Sequence, residues 1–198
     1  MKIGMYAGLD NGPVKDRSID YIAIDNGLEH LHNQGIKPLF AIGDFDSLQN
    51  QSLLDEVPHT SYSSIKDDTD TALAIQYARD HGYDTIDLYG VIGGRMDHFL
   101  GVMAILECSA DLRITLYDTV NKIYRLEAGL HKIDCSGYHY FSVFAIEDGH
   151  LSLKNCHYPL HDYLLKKQDP LCVSNQCEGV LTIENDHPVI FIQTDEGA

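Results

Sequence analysis

The sequence predicts an α/β N-terminal domain with a mostly parallel sheet, followed by an all-β C-terminal sandwich domain. Three observations carry that prediction. Up to about residue 118, short apolar runs alternate with helical patterns, the sign of βα units. After Asp118, helical periodicity gives way to short alternating runs split by turn signals such as Glu127-Ala128-Gly129, Ser136-Gly137 and Glu147-Asp148-Gly149, the sign of antiparallel structure. Finally, four aspartate-bearing loops in the first half each follow an apolar run: Ile24-Asp25-Asn26-Gly27, Ile42-Gly43-Asp44-Phe45-Asp46-Ser47, Lys66-Asp67-Asp68-Thr69-Asp70 and Gly93-Gly94-Arg95-Met96-Asp97-His98. If those runs are strands of one parallel sheet, all four loops gather at its carboxyl edge, where open α/β sheets bind ligands.

The elements follow in order. Met1 to Tyr6 reads as a first strand, and Tyr21-Ile22-Ala23-Ile24 and Leu39-Phe40-Ala41-Ile42 are compact buried strands. Between the latter two, Leu28, Leu31 and His32 keep a helical period that Gly35 stops, with Pro38 just beyond. From Thr69, the positions Ala72, Leu73, Ile75, Gln76, Ala78 and Arg79 give a helix ended by Gly82, with Thr69 or Asp68 at its cap. Thr85 to Tyr89 is the next strand, a glycine loop leads into a helix from about Met96 to Cys108, and Ile114 to Tyr117 closes the half. In the second half, Tyr138 to Phe144, Leu151 to Leu153, Gly179 to Ile183 and Val189 to Ile192 are the clearest strands. The boundary falls near residues 118 to 121 without a Pro/Gly/Ser-rich linker, which divides the chain into 1–120 and 121–198.

Composition narrows the function. At 198 residues a chain can bury roughly 70% of its unfolded surface. A hydrophobic fraction of 44% and a charged fraction of 22% are those of a globular protein. No run approaches the ~20 apolar residues of a membrane span, and the N-terminus lacks a signal-peptide pattern, so the expectation is no membrane partner and a cytoplasmic protein. The formal charge of −16 argues against nucleic acid as partner. Five cysteines, Cys108, Cys135, Cys156, Cys172 and Cys177, are odd in number and irregularly spaced, with no C-x-x-C, and read as reduced structural thiols.

The loops supply the chemistry. Carboxylates crowded at one edge repel one another unless a cation joins them, and hard oxygen donors suit Mg²⁺, particularly when phosphate supplies the remaining oxygens. The ion also resolves the conflict between an acidic protein and a phosphate ligand. Asp44 and Asp46, one residue apart, can converge on one ion in a turn; the competing role is a solvated Asp/Ser turn. Asp67, Asp68 and Asp70 lie at a helix start, where capping accounts for two of the three acids and leaves Asp70 or Asp67 for a site. Gly93 and Gly94 let backbone N–H groups approach phosphate at a helix N-terminus, and the Arg95 fork can bind phosphate oxygens. The loop is neither a Walker P-loop nor G-x-G-x-x-G. His98 is as well suited to a core as to a ligand.

The order G-D-F-D-S, K-D-x-T-D and G-G-R-x-D-H, followed by Tyr158-Pro159-Leu160 and Val173-Ser174-Asn175, resembles the bacterial thiamin pyrophosphokinase family over nearly the whole chain. The resemblance implies an α/β domain for ATP and Mg²⁺, and a β-sandwich that contributes to thiamin binding and dimerisation. It implies a homodimer whose thiamin pockets are completed across the subunit interface, and transfer of the β,γ-diphosphoryl group of ATP to the thiamin hydroxyl, giving AMP and thiamin diphosphate. Asp44, Asp46 and Asp70 match the metal and reaction-centre carboxylates, Asp46 and Asp70 also reaching the substrate. Arg95 and Asp97 match catalytic positions, with Gly93, Gly94 and Arg95 on the ATP phosphates. Asp25, Lys66, Asp67 and His98 match the nucleotide side, and Ser174 and Asn175 the thiamin wall. The chain departs from the family at Gly8-Leu9-Asp10 and at Gln176, where an acidic residue is common, and it has no Trp, so an aromatic contribution to thiamin must come from Tyr, Phe or His.

Catalysis of this type is mostly positioning and charge neutralisation, with Asp46 or Asp97 open to orient the hydroxyl. Three rivals stand beside it: a diphosphokinase for another heterocyclic alcohol such as a pterin, a phosphatase using Asp44 as nucleophile, and a non-catalytic thiamin or nucleotide sensor.

Overall fold

Strand β1 (Lys2–Tyr6) is the axis of the N-terminal sheet, because every residue from Ile3 to Tyr6 is buried. In this computed structural model, which describes residues 1–61 and 69–195, the chain divides into two compact units, Met1–Thr119 and Val120–Ala198. In the first, β1 pairs in parallel with β2 (Tyr21–Ile24) on one side and β5 (Thr85–Tyr89) on the other. Parallel pairing continues from β2 to β3 (Phe40–Gly43) and β4 (His59–Ser61), and from β5 to β6 (Arg113–Tyr117). The strand order β4-β3-β2-β1-β5-β6 reverses between β1 and β5. That reversal opens a crevice at the carboxyl ends of β1 and β5, the place where a ligand can enter an open α/β sheet.

Helix α1 (Gly27–Asn33) links β2 to β3 and buries Leu28 and Leu31. Helix α2 (Asp70–Asp80) is capped by Thr69, whose hydroxyl accepts the Ala72 N–H at 3.2 Å, and buries Ala74, Ile75 and Ala78. Helix α3 (Met96–Cys108) joins β5 to β6 and buries Val102 and Leu106. Three buried tyrosines fix the long segment after β1. The Tyr6 hydroxyl donates to Gly12 O at 2.7 Å and accepts the Asn11 N–H at 3.1 Å; Tyr89 accepts the Lys15 N–H at 3.0 Å; Tyr21 donates to Asp16 O. Buried hydroxyls need such partners, and here the partners are backbone groups of a loop with no strand ladder of its own.

The second unit is antiparallel throughout. One sheet has β13 (Val189–Thr194) between β7 (Asn121–Leu126) and β9 (Tyr140–Ala145). The other runs β11 (Leu160–Leu165), β10 (Gly149–Lys154), β12 (Val180–Asn185), β8 (Gly129–Asp134). Alternate residues of both sheets enter one core, in which Val143 and Phe191 meet Leu151, Leu153, Leu181 and Ile183, so the unit is a sandwich. Phe191 is fully buried, with ring centroids 5.7 Å from Phe141 and 5.5 Å from Tyr124. Among the described residues no helix is long and apolar enough to cross a membrane.

Phe191→Ala removes the centre of this aromatic cluster. It should destabilise the protein by about 3–5 kcal/mol, measured as a lower urea midpoint with an unchanged slope.

Candidate active site

The Gly43–Ser47 turn is shaped by a close approach that only glycine permits. A Cβ on Gly43 would lie 1.8 Å from Asp25 Oδ1. Without it, the Asp25 carboxylate reaches across from the end of β2 and accepts the Asp44 N–H at 3.1 Å, while the Asp25 N–H donates to Ile42 O at 3.0 Å. The chain then turns through Phe45, which is left-handed at φ 57° although it is bulky. Such a conformation costs roughly 1–3 kcal/mol. Burial of the Phe45 ring in the core, edge-on to His59, offsets it. The turn brings the two flanking acids together, and the Asp46 N–H donates to Asp44 Oδ1 at 3.2 Å.

The electrostatics follow. Hydrogen bonding to the Asp44 carboxylate, then its charge, hold the Asp46 carboxyl above the usual range, and the charge of Asp70 at the first turn of α2 pushes the same way. Asp46 therefore senses both Asp44 and Asp70. Among the described residues no group of three His, Cys, Asp or Glu side chains is placed to hold a metal ion. The expected triad is thus a close pair with a third charge in Coulombic reach. An unrelieved carboxylate pair still suits a hard cation, and Mg²⁺ commonly takes one or two carboxylates with phosphate oxygens and waters completing its shell.

The crevice between β1 and β5 holds a cavity of about 730 Å³, within the roughly 300–1,000 Å³ of small-molecule sites. Leu9, Ile24, Val91, Val102 and Ile105 supply an apolar wall; Asp25, Arg95, Asp97, His98 and Gly93 are the sequence-predicted residues that line it. Asp44, Asp46, Asp70 and Gly94 are not part of the lining, although Ser47, Thr69 and Thr71, their chain neighbours, are. Gly93 and Gly94, at φ 93° and 62°, turn the chain into α3. A second device fixes this turn: the Asn11 side chain donates to Ile92 O and accepts the Ile92 N–H, both at 3.1 Å. Arg95 is not a waiting clamp. Its guanidinium forks onto Asp97, with Nη2 2.6 Å from Oδ2 and Nε 3.2 Å from Oδ1, and this pairing holds Arg95 above and Asp97 below their ordinary pKa ranges. A phosphate that takes the Nε–Nη2 edge of Arg95 must displace Asp97.

In the second unit, Ser174 and Asn175 have unlike places. Ser174 is exposed and left-handed at φ 59°, and its N–H donates to Ser142 Oγ at 3.1 Å. Asn175 is buried, and its amide is committed to structure: Nδ2 donates to Tyr158 O at 2.8 Å, while Oδ1 accepts the N–H groups of Tyr158 at 3.0 Å and Gln176 at 2.8 Å. It holds a loop, and the exposed Tyr158 ring is what that loop presents. Lys66 and Asp67 lie outside the described residues. Sequence reasoning did not single out Asn11, Asn26, Ser47, Thr69 or Thr71 as part of a site. All but Asn11 carried a signal, their place in or beside the acidic motifs.

Comparisons with known proteins agree over both units. Residues 14–117 match the thiamin pyrophosphokinase catalytic domain, and residues 130–190 match the thiamin pyrophosphokinase vitamin B1 binding domain. The thiamine pyrophosphokinase of Bacillus subtilis (strain 168) is 33% identical over 165 residues, which cover 79% of this chain and 77% of that one. The crystal structure of thiamine pyrophosphokinase from Bacillus subtilis superposes with a TM-score of 0.89 at 28% identity, covering 99% of this chain and all of the other. A thiamin pyrophosphokinase from Candida albicans shares the fold, with a TM-score of 0.81 at 14% identity over 98% of this chain and 89% of its own.

Gly43→Ala forces the new methyl group onto Asp25. It should lower stability by about 1–3 kcal/mol through overpacking, read by thermal denaturation. Asn175→Ala should cost a similar amount, about 1–3 kcal/mol, because it removes the partner of the part-buried N–H and C=O groups of Tyr158 and of the Gln176 N–H.

Proposed function

We propose, from the premise that the chain belongs to the thiamin pyrophosphokinase family and pyrophosphorylates thiamin, that the β1–β5 crevice and the Gly43–Ser47 turn form the ATP end of that reaction. ATP is the co-substrate of this kinase family. One observation carries the reading: Asp25 ties the turn that bears Asp44 and Asp46 to the edge of the same crevice that Arg95 and Asp97 line.

In this reading the anhydride between the α- and β-phosphates of ATP breaks, the thiamin hydroxyl oxygen joins the β-phosphorus, and AMP leaves. Asp44 and Asp46 would hold Mg²⁺, with Asp70 adding its charge from the first turn of α2. The ion, when bound, supplies positive charge to phosphate oxygens. Gly93, Gly94 and Arg95 bind the phosphates, and Arg95 exchanges Asp97 for them. Asp46 or Asp97 orients the thiamin hydroxyl and takes its proton. The apolar wall from Leu9 to Ile105 receives the base, with Asp25 and His98 beside it. Lys66 and Asp67 remain assigned to the nucleotide by family resemblance. The little covalent work left to the protein is typical of phosphoryl-type transfer.

The second unit contributes thiamin binding through the Ser174 segment, with Asn175 positioning the Tyr158 loop. A homodimer follows from the same family likeness. Supporting it, Tyr158, Leu171 and Val173 remain 63%, 54% and 45% exposed around Ser174, apolar surface that a second copy can cover.

Purified protein with ATP, Mg²⁺ and thiamin should release AMP and thiamin diphosphate in equal amounts. Inorganic phosphate as sole product, or turnover confined to a pterin alcohol, would overturn the assignment. Asp44→Asn and Arg95→Ala should each lower turnover by at least ~10²-fold, the effect of losing one preorganised electrostatic group. Chelation of divalent metal should abolish activity, and added Mg²⁺ should restore it.

A further inference from the structure

Four of the five cysteines, Cys135, Cys156, Cys172 and Cys177, share the core cluster of the second unit, and none is in a disulfide. Cys135 and Cys172 are buried, whereas Cys156 and Cys177 are partly exposed. The end of the β8–β12 ladder brings two of them together. One step beyond the Asp134–Val180 pair, the Cys135 N–H donates to Gly179 O at 2.8 Å, so the chain that leads into β12 runs beside Cys135 with Cys177 two residues before the contact. Both side chains belong to the same core cluster, where the Cys177 thiol and its charge act on the Cys135 thiol, which itself donates to Ile133 O at 3.8 Å. Cys156 is engaged elsewhere: its Sγ accepts from Asn175 Nδ2 at 3.7 Å and donates to Tyr158 O at 3.5 Å. Among the described residues no three ligands are placed to hold a metal, so the pair is a dithiol rather than part of a thiolate cage.

We propose that Cys135 and Cys177 are a modification site, a dithiol that closes to a reversible disulfide on exchange with a low-molecular-weight disulfide. The partly exposed Cys177 attacks first as thiolate, forming a mixed disulfide and releasing one small thiol. Cys135, as thiolate, then attacks the Cys177 sulfur and expels the second small thiol. Two protein thiols are oxidised by two electrons, the reagent is reduced to two thiols, and those thiols take up the two protons. The order follows from access and from ionisation, because burial, and then the neighbouring Cys177, push the Cys135 thiol up to about 12. That second step is slow for the same reason. The new bond would tether the segment of Ser174 to Gln176 to the end of β8. Its effect on catalysis rests on the assignment of this segment to thiamin.

The test treats the full chain with excess oxidised glutathione, alkylates the remaining thiols and maps peptides by mass. The expected result is a Cys135–Cys177 cross-link, lost on dithiothreitol treatment, absent in Cys177→Ser and retained in Cys108→Ser, with three alkylated cysteines left in the wild-type protein. A glutathione adduct left on Cys177, a cross-link through Cys156, or five alkylated cysteines would each overturn the proposal. In the cross-linked protein KM for thiamin should rise several-fold with KM for ATP unchanged. An intact cross-link with both constants unchanged would refute the thiamin-side assignment of the segment and leave the dithiol standing.

Discussion

The approach of Asp25 to the Gly43–Asp44 peptide is the contact on which the acidic edge of the sheet depends. Strand β2 ends in one acid and β3 leads into two more, and the parallel register sets Ile24 beside Ile42. Parallel pairing thus delivers three carboxylates to the same few ångströms of sheet edge. Repulsion would spread them if their backbones were free. Instead one carboxylate spends its charge on a backbone N–H, and the missing Cβ of Gly43 makes room for it. The other two are left as a close pair, one of them with a raised pKa, ready for a cation.

Two asparagines do for the loops what strand ladders do for the sheets. Asn11 satisfies both backbone groups of Ile92 and so sets the entry to the Gly93-Gly94 turn; Asn175 satisfies both backbone groups of Tyr158. In each case an amide side chain stands in for a neighbouring strand, because it offers one donor and one acceptor in the geometry of a peptide. Two of the left-handed positions lie next to residues assigned to chemistry. Phe45 separates the two acids, and Ser174 adjoins the Asn175 clamp. Burial of the Phe45 ring and the hydrogen bond from the Ser174 N–H hold those conformations in place.

Much of the fold was legible where one physical signal dominated. Tyr21 to Ile24 is wholly buried, so its apolar run was unmistakable, and the periodicity from Met96 to Cys108 gave α3 its limits. Strands β7, β8 and β11 were not among the clear runs. Their residues are mostly half-buried or exposed, β11 includes the left-handed Asp162, and its register with β10 shifts between Leu151 and Leu153. A strand without clean alternation is recognised by its partners, and partners are a property of the assembled sheet. The cysteines make the same point. Their irregular spacing read as scattered structural thiols, yet four of them meet in one core.

By itself the sequence determined the class of fold, the four acidic loops and their order, and through that order the family and its reaction. These are local matters, because apolar period, turn residues and motif spacing are written along the chain. Tertiary structure alone decided which acids meet. It joined Asp25 to Asp44, gave Arg95 to Asp97, and drew Asn175 inward to hold Tyr158. Each of those pairings depends on where two backbones pass in space, and a hydrogen bond of about 3 Å is set by that distance rather than by either residue's type.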